Sequence, residues 1–191
     1  PEILYHWRVV PGSAAGDAQA KPYAATAGIR AVQESLERRG IAGQARTSPL
    51  VLGHYLVDRR LDPGTSVSII IPTRGQDGIV WGERRTFVTE TVRTALAHTS
   101  HPDLEVVVVY DDPTPAAVLD DLRRSVGSRL VLVPYHRSFN FSEKINLGVV
   151  HSHGSRVVLL NDDVHVISDG WLEQLVGPLD ESDVGMTGAK L

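Results

Sequence analysis

From residue 66 onward the chain alternates short, unbroken apolar runs with longer stretches in which apolar positions recur every three or four residues. The runs are "SVSIIIP" (66–72), "LEVVVVY" (104–110), "RLVLVPY" (129–135) and "SRVVLLN" (155–161). Rich in Val, Ile and Leu and without polar alternation, they predict strands buried on both faces. Between them, "RRTFVTETVRTALAHT" (84–99) lines up Val88, Val92, Ala95 and Leu96, and "PAAVLDDLRRSV" (115–126) and "SEKINLGVVHS" (142–152) likewise predict helices. Strand and helix alternating in this way predicts parallel βαβ units. The expected fold is therefore α/β: an open, mostly parallel sheet with helices on both faces.

The first third reads differently. Residues 22–39 place Ala25, Ile29, Val32 and Leu36 on one helical face, with Pro22 in the first turn and Gly40 at a C-terminal cap. "VLGHYLVDRR" (51–60) predicts a short strand, and "LDPGTS" carries the Pro-Gly punctuation of a linker ending near residue 65. Two parts are expected: an N-terminal helical appendage and linker over 1–65, and a ligand-binding α/β part over 66–191.

Open parallel sheets bind ligands beyond the C-terminal ends of their strands. Those ends here are "PTRG" (72–75), "YDDPT" (110–114), "PYHRSFN" (134–140) and "NDDVH" (161–165), and two of the four carry paired aspartates. Asp111–Asp112 precede "PTPAAVL", so a role in capping the next helix competes evenly with a functional one. Asp162–Asp163 do not start a helix. Adjacent carboxylates in a partly buried crevice repel one another unless a cation or hydrogen-bond donors compensate. Mg²⁺ or Mn²⁺, held by one or two carboxylates with phosphate oxygens and water, is the expected compensator.

Composition narrows the choices. The chain has 191 residues, 42% hydrophobic and 22% charged, with 19 Lys+Arg against 23 Asp+Glu and a net charge of −4. This acidic balance gives no footprint for nucleic acid. The absence of cysteine excludes disulfides, thiol nucleophiles and Cys-ligated zinc. No apolar run approaches a membrane span, and the first residues lack the pattern of a signal peptide. A cytoplasmic location is expected, including the inner face of the plasma membrane should regions outside this chain attach there. A start without Met and an end on "DVGMTGAKL" suggest an excised piece. No G-x-G-x-x-G follows the first strand, "PTRGQDG" is not a Walker A loop, and no G-x-S-x-G occurs, which removes support for hydride transfer, P-loop chemistry and serine hydrolysis.

Taken in order, "VSIIIPTRG", "HPDLEVVVVYDD", "FNFSEKINLGVVHSHG", "VVLLNDDVHVISDGWLEQLV" and "DVGMTGAKL" resemble the N-terminal part of a family 2 glycosyltransferase with the GT-A, nucleotide-diphospho-sugar transferase fold. "ILYHWR" and "AKPYAATAG" resemble the segment preceding that domain in bacterial O-antigen and rhamnan-type polysaccharide transferases. The resemblance implies that Asp111, with Asp112 beside it, contacts the nucleoside, and that Pro72 and Thr73 form the turn over the nucleobase. It makes "NDD" a D-x-D-like motif, with Asp163 as metal ligand and Asp162 facing the ribose or the metal's water shell. Arg137, Asn140, Lys144 and Asn146 match positions near the donor diphosphate or sugar, and Lys144 is the best phosphate cation by its chemistry.

Three departures stand out. Gly75 occupies a position where an acid is often found, "GQDGIVWGERR" lengthens that loop, and Pro113 replaces a small Gly and can steer Asp112 away. The resemblance places the family's catalytic base and acceptor-binding half after "GAKL", so that base is expected outside this chain, the catalytic residues are unknown, and the fragment alone can be inactive. Of the histidines, His151 and His153 read as helix-end residues and His165 as a surface residue ahead of a partner of NDD; Trp81 and Trp171 both read as packing anchors ahead of sugar platforms, although Trp81 sits in the lengthened loop, in a position to cover the ligand. The reading is an inverting, metal-dependent transfer of a sugar from a nucleoside-diphosphate donor, UDP- or dTDP-type ahead of GDP-type, to a glycan or lipid-linked acceptor. The alternatives are a non-catalytic nucleotide-binding or scaffolding α/β module and a nucleotidyltransferase, the latter disfavoured by the single arginine of "PTRGQDG".

Overall fold

A computed structural model describes residues 4–6, 8, 22–51 and 53–189. Part of "ILYHWR" and the last two residues of "GAKL" lie outside them. The chain forms two compact units: residues 1–60 with 177–185, and residues 61–176 with 186–191.

In the first unit, helix α1 (Pro22–Arg38) precedes an antiparallel pair, β1 (Gly43–Thr47) and β2 (Tyr55–Arg59), in the register Ala45↔Val57. Strand β1, "GQART", is absent from the sequence-based expectation because only Ala45 of its five residues is buried. Its place is fixed from outside: the Gln33 side chain of α1 accepts from the Ala45 N–H (2.9 Å) and donates to the Gly43 carbonyl (3.4 Å). Glu181 joins this unit by accepting from Arg39 (2.7 Å) and Arg59 (2.6 Å).

The second unit holds four parallel strands: β3 (Val67–Thr73), β6 (Leu104–Asp111), β7 (Leu130–Tyr135) and β8 (Arg156–Leu159), in the order β7-β6-β3-β8. All seven residues of β3 are buried. On one face Ile70, Val107, Val109, Val133 and Tyr135 pack with Ile145 of helix α4 (Phe141–Val150). Gly148 lets α4 approach closely, since a Cβ there would meet Ile70 Cγ2 at 2.4 Å. By strand alternation Ile69, Ile71, Val106 and Val108 point to the other face and are equally inaccessible. Helices α2 (Phe87–Ala97) and α3 (Ala116–Val126), packed on each other, bury Val88, Val92, Val118 and Leu122 as the second helical layer. A short helix, α5 (Trp171–Val176), follows, with the Trp171 indole N–H donating to the Ala95 carbonyl (3.2 Å).

Two expected elements differ in detail. The long loop after β3 is a hairpin, β4 (Asp77–Val80) with β5 (Glu83–Thr86), so α2 starts at Phe87 rather than in "RRT". Strand β8 is an edge strand: Val157 is 37% and Leu159 56% exposed, where the apolar run predicts burial on both sides. Val157 and Leu159 share one face, which is left open, while Val158 on the other face is buried.

Candidate functional site

The chain runs from β3 to β6 to β7 in one direction across the sheet and then places β8 on the other side of β3, which makes the gap beyond β3 and β8 the topological switch point. A cleft of about 250 Å³ opens there, lined by Pro72, Thr73, Arg74 and Gln76 after β3, Asn161, Asp162 and Asp163 after β8, and Phe139 and Phe141 at the start of α4.

Thr73 organises the cleft. Its hydroxyl donates to Asp162 Oδ2 (2.6 Å) and accepts from the Gly75 N–H (2.9 Å). The acidic turn is held from beneath by Thr91, whose hydroxyl lies 2.7 Å from the carbonyls of both Asp162 and Val164. Burial pushes the Asp162 carboxyl above the usual carboxylate range; the Thr73 hydrogen bond opposes this, and the neighbouring Asp163 charge adds to it. Asp163 itself is exposed. Thr91 thus fixes the carbonyls of the turn, and the Lys144 charge offsets the paired negative charge in part.

Asp111 ends β6 next to β3 and is buried. Lys144, reaching across from α4, is fully inaccessible and donates to Asp111 Oδ1 (2.8 Å) and to the Thr73 carbonyl (2.6 Å). Its ammonium also lies 5.7 Å from the ring centroids of Tyr135 and Phe139. Arg74 Nε stands 3.6 Å from Asp111 Oδ2, and its guanidinium lies 5.8 Å from the Phe139 ring. Gly75 is the residue the turn requires: its φ is +68°, and a Cβ would come within 2.7 Å of Thr114 Cγ2.

The structure thus brings Pro72, Thr73, Asp162 and Asp163 to the cleft, with Asp111 and Lys144 behind Thr73. The other expected positions lie elsewhere. Asp112 is exposed and faces His136 Nδ1 at 2.6 Å. Asn140 is the N-cap of α4, accepting from the Glu143 N–H (3.1 Å). Arg137 pairs with Glu143, and Asn146 lines a separate groove with Pro134, His136 and Val150. His151 Nδ1 contacts the Leu147 carbonyl (2.8 Å) and His153 Nδ1 contacts Glu105 (3.2 Å), so they serve the helix end and the N-terminal end of β6. Burial raises the Glu105 carboxyl, but the His153 N–H and the Ser68 hydroxyl outweigh it and leave the group below its ordinary value. The cleft residues given no role from the sequence are Arg74, Gln76, Phe139, Phe141 and Asn161. Alternation of the two phenylalanines around a cap residue, "FNF", is the signal that could have marked a wall.

No group of three or more His, Cys, Asp or Glu that could hold a metal occurs among the described residues. Asp162 and Asp163 offer two adjacent hard carboxylate donors on the cleft wall, the second of them exposed. That set fits a divalent cation which takes its remaining ligands from a diphosphate and water, and does not fit an all-protein cage. No helix among the described residues is long and apolar enough to cross a membrane.

Comparison with known proteins agrees with the α/β fold. The profile of the family described as Glycosyl transferase family 2 matches residues 68–190. The whole chain aligns with Uncharacterized protein y4gI of Sinorhizobium fredii (strain NBRC 101917 / NGR234), 36% identical over 196 residues, and with the O-antigen biosynthesis protein RfbC of Myxococcus xanthus, 30% identical over 190. It spans 20% and 14% of the lengths of those relatives. Among solved structures, the mannosyltransferase PcManGT from Pyrobaculum calidifontis, in complex with GDP-Man and Mn²⁺, is similar with a TM-score of 0.53 and 25% identity, over 65% of this chain and 35% of that one.

Proposed function

The chain belongs to glycosyl transferase family 2, and from that premise we propose that its strand-end cleft binds a nucleoside-diphosphate sugar whose glycosyl group passes to a hydroxyl of a glycan or lipid-linked acceptor. The observation that carries the reading is the Thr73–Asp162–Asp163 arrangement: two adjacent carboxylates, one clamped at 2.6 Å, at the switch point of a parallel sheet.

Each residue then has a task. Asp163, exposed, is the ligand for Mg²⁺ or Mn²⁺, and Asp162 contributes its remaining oxygen to the ion's water shell or the ribose. A divalent ion bound there supplies charge neutralisation for the departing diphosphate. Asp111 accepts from the nucleoside, and the exposed Phe139 ring offers flat apolar surface to the base beside the turn begun by Pro72 and Thr73. Lys144 acts by fixing Asp111 and the Thr73 carbonyl rather than by touching phosphate, because its two observed hydrogen bonds hold the ammonium in the interior. Arg74 is the exposed cation at the cleft for the diphosphate. Transfer is read as inverting: the acceptor oxygen bonds to the anomeric carbon as the bond to diphosphate breaks, and a base takes the acceptor proton.

The test is calorimetric titration of the 191-residue chain with UDP, dTDP and GDP, with and without Mn²⁺. Binding that requires Mn²⁺ and is lost in Asp163→Ala, with the circular dichroism spectrum unchanged, supports the transferase. Absence of binding by all three nucleotides supports a scaffolding module instead. The solved mannosyltransferase holds GDP-Man, so GDP is a full arm of the comparison although UDP or dTDP is expected to bind more tightly.

A further inference from the structure

The β4–β5 hairpin turns through two residues, Trp81 and Gly82, and both have positive φ (53° and 84°). Such turns favour Asn-Gly or Gly-Gly, because a left-handed backbone is costly for a residue with a large side chain. The indole gains little burial in exchange: Trp81 is 71% exposed, and Ile79, two positions earlier, is 69% exposed. An unfavourable backbone holding a large apolar ring in solvent calls for a role outside the fold.

The ring is held in fixed register with the acidic turn. It tilts over the imidazole of His165, with centroids 5.1 Å apart and planes at 46°. His165 follows Asp163 by two residues, and its Nδ1 lies 3.3 Å from Glu90. Glu90 is buried in α2 and accepts from Arg85 of β5 (2.9 Å) and from Arg93 (2.6 Å). The hairpin is further closed by Arg84 donating to Asp77 (2.5 Å) and by Gly78 lying against the Phe87 ring. Hairpin, helix and acidic turn are thus joined through one carboxylate.

We infer that Trp81 is a stacking platform for a pyranose ring of the acceptor, a reading that rests on the donor-binding function proposed above. A pyranose presents an apolar C–H face and a rim of hydroxyls, which match an exposed indole face with a partly exposed imidazole beside it. The acceptor is chosen over the donor sugar because Trp81 does not line the Pro72–Asp163 cleft. It meets the acidic turn at His165, outside that cleft, so a sugar stacked on it leaves the cleft to nucleotide and diphosphate.

The test uses saturation-transfer NMR on the full chain with methyl α-pyranosides of glucose, mannose, galactose and rhamnose. It compares the native protein with Trp81→Asn, a residue that this turn accommodates. Expected is transfer to at least one pyranoside by the native chain, reduced several-fold in Trp81→Asn, with an unchanged or higher melting temperature and unchanged Mn²⁺-dependent nucleotide binding. Trp81→Phe should retain part of the transfer. Transfer that persists when UDP-glucose or GDP-mannose is added supports the acceptor assignment, and its displacement overturns it. Equal transfer to both proteins, or none to either, overturns the platform. Nucleotide titration of the same samples reports separately on the donor reading, so the two can fail independently.

Discussion

Lys144→Met is the most searching perturbation of the site. The substitution keeps the length and apolar stem of a fully buried side chain but removes the ammonium that donates to Asp111 Oδ1 at 2.8 Å and the Thr73 carbonyl at 2.6 Å. Breaking a buried ion pair from one side costs about 3–5 kcal/mol, because the other charge stays behind. The orphaned Thr73 carbonyl adds about 1 kcal/mol or more. Arg74, 3.6 Å from Asp111 Oδ2 and largely exposed, can swing in and recover part of this. A net loss of about 3 kcal/mol follows, and for a chain of this size it lowers Tm by roughly 6–12 °C, at about 2–4 °C per kcal/mol. Urea unfolding of Lys144→Met, Asp111→Asn and the double variant measures the coupling. The double variant should cost less than the sum of the singles by about 1–3 kcal/mol. Titration with uridine and with pyrophosphate then separates roles: positioning of Asp111 predicts weakened uridine binding with pyrophosphate unaffected. A loss under about 1 kcal/mol, strictly additive variants, or a selective loss of pyrophosphate would refute the reasoning, the last by returning Lys144 to direct phosphate contact.

Two further outcomes test neighbouring features. Arg93 holds the Glu90 carboxyl down at about 2 against the opposing effect of burial, with Arg85 assisting. Its folded value lies below the ordinary 4.5, so the stability it contributes is present above pH 4.5 and lost as pH falls toward 2; Glu90→Gln should lower Tm at neutral pH and flatten the acid limb between those values in a pH series of thermal melts. Asn140 reads as a cap, so Asn140→Ala should cost about 1 kcal/mol by chemical denaturation. Asn140→Asp should cap as well and leave Mn²⁺-dependent nucleotide binding intact, whereas a position touching diphosphate would lose affinity on gaining a negative charge.

Much of this was legible along the chain. The runs around Ile69–Ile71 and Val106–Val109 are short, β-branched and apolar at consecutive positions, which fits strands covered on both sides, and alternation with amphipathic helices then points to a parallel sheet and the edge at which ligands gather. The adjacent acids Asp162 and Asp163 were visible for the same reason: an apolar run that ends on two like charges is unusual in a buried element. Strand β1 and the β4–β5 hairpin were not legible, since their residues are mostly polar and exposed and their order comes from partners such as Gln33, Asp77 and Glu90.

What the sequence by itself determined is the class of fold and the line of strand ends where chemistry collects, because burial periodicity and turn residues act over a few neighbouring positions. What only the tertiary structure decided is which charges face the ligand. Lys144 offers the same ammonium whether it points to solvent or inward, and its assignment turned on Asp111 and Thr73, 33 and 71 positions away. Likewise Asp111 and Asp112 are equivalent in sequence but lie on opposite sides of a strand terminus, one buried against Lys144 and the other exposed beside His136. Electrostatic partners are chosen by distance in space, and a one-dimensional pattern carries no record of it.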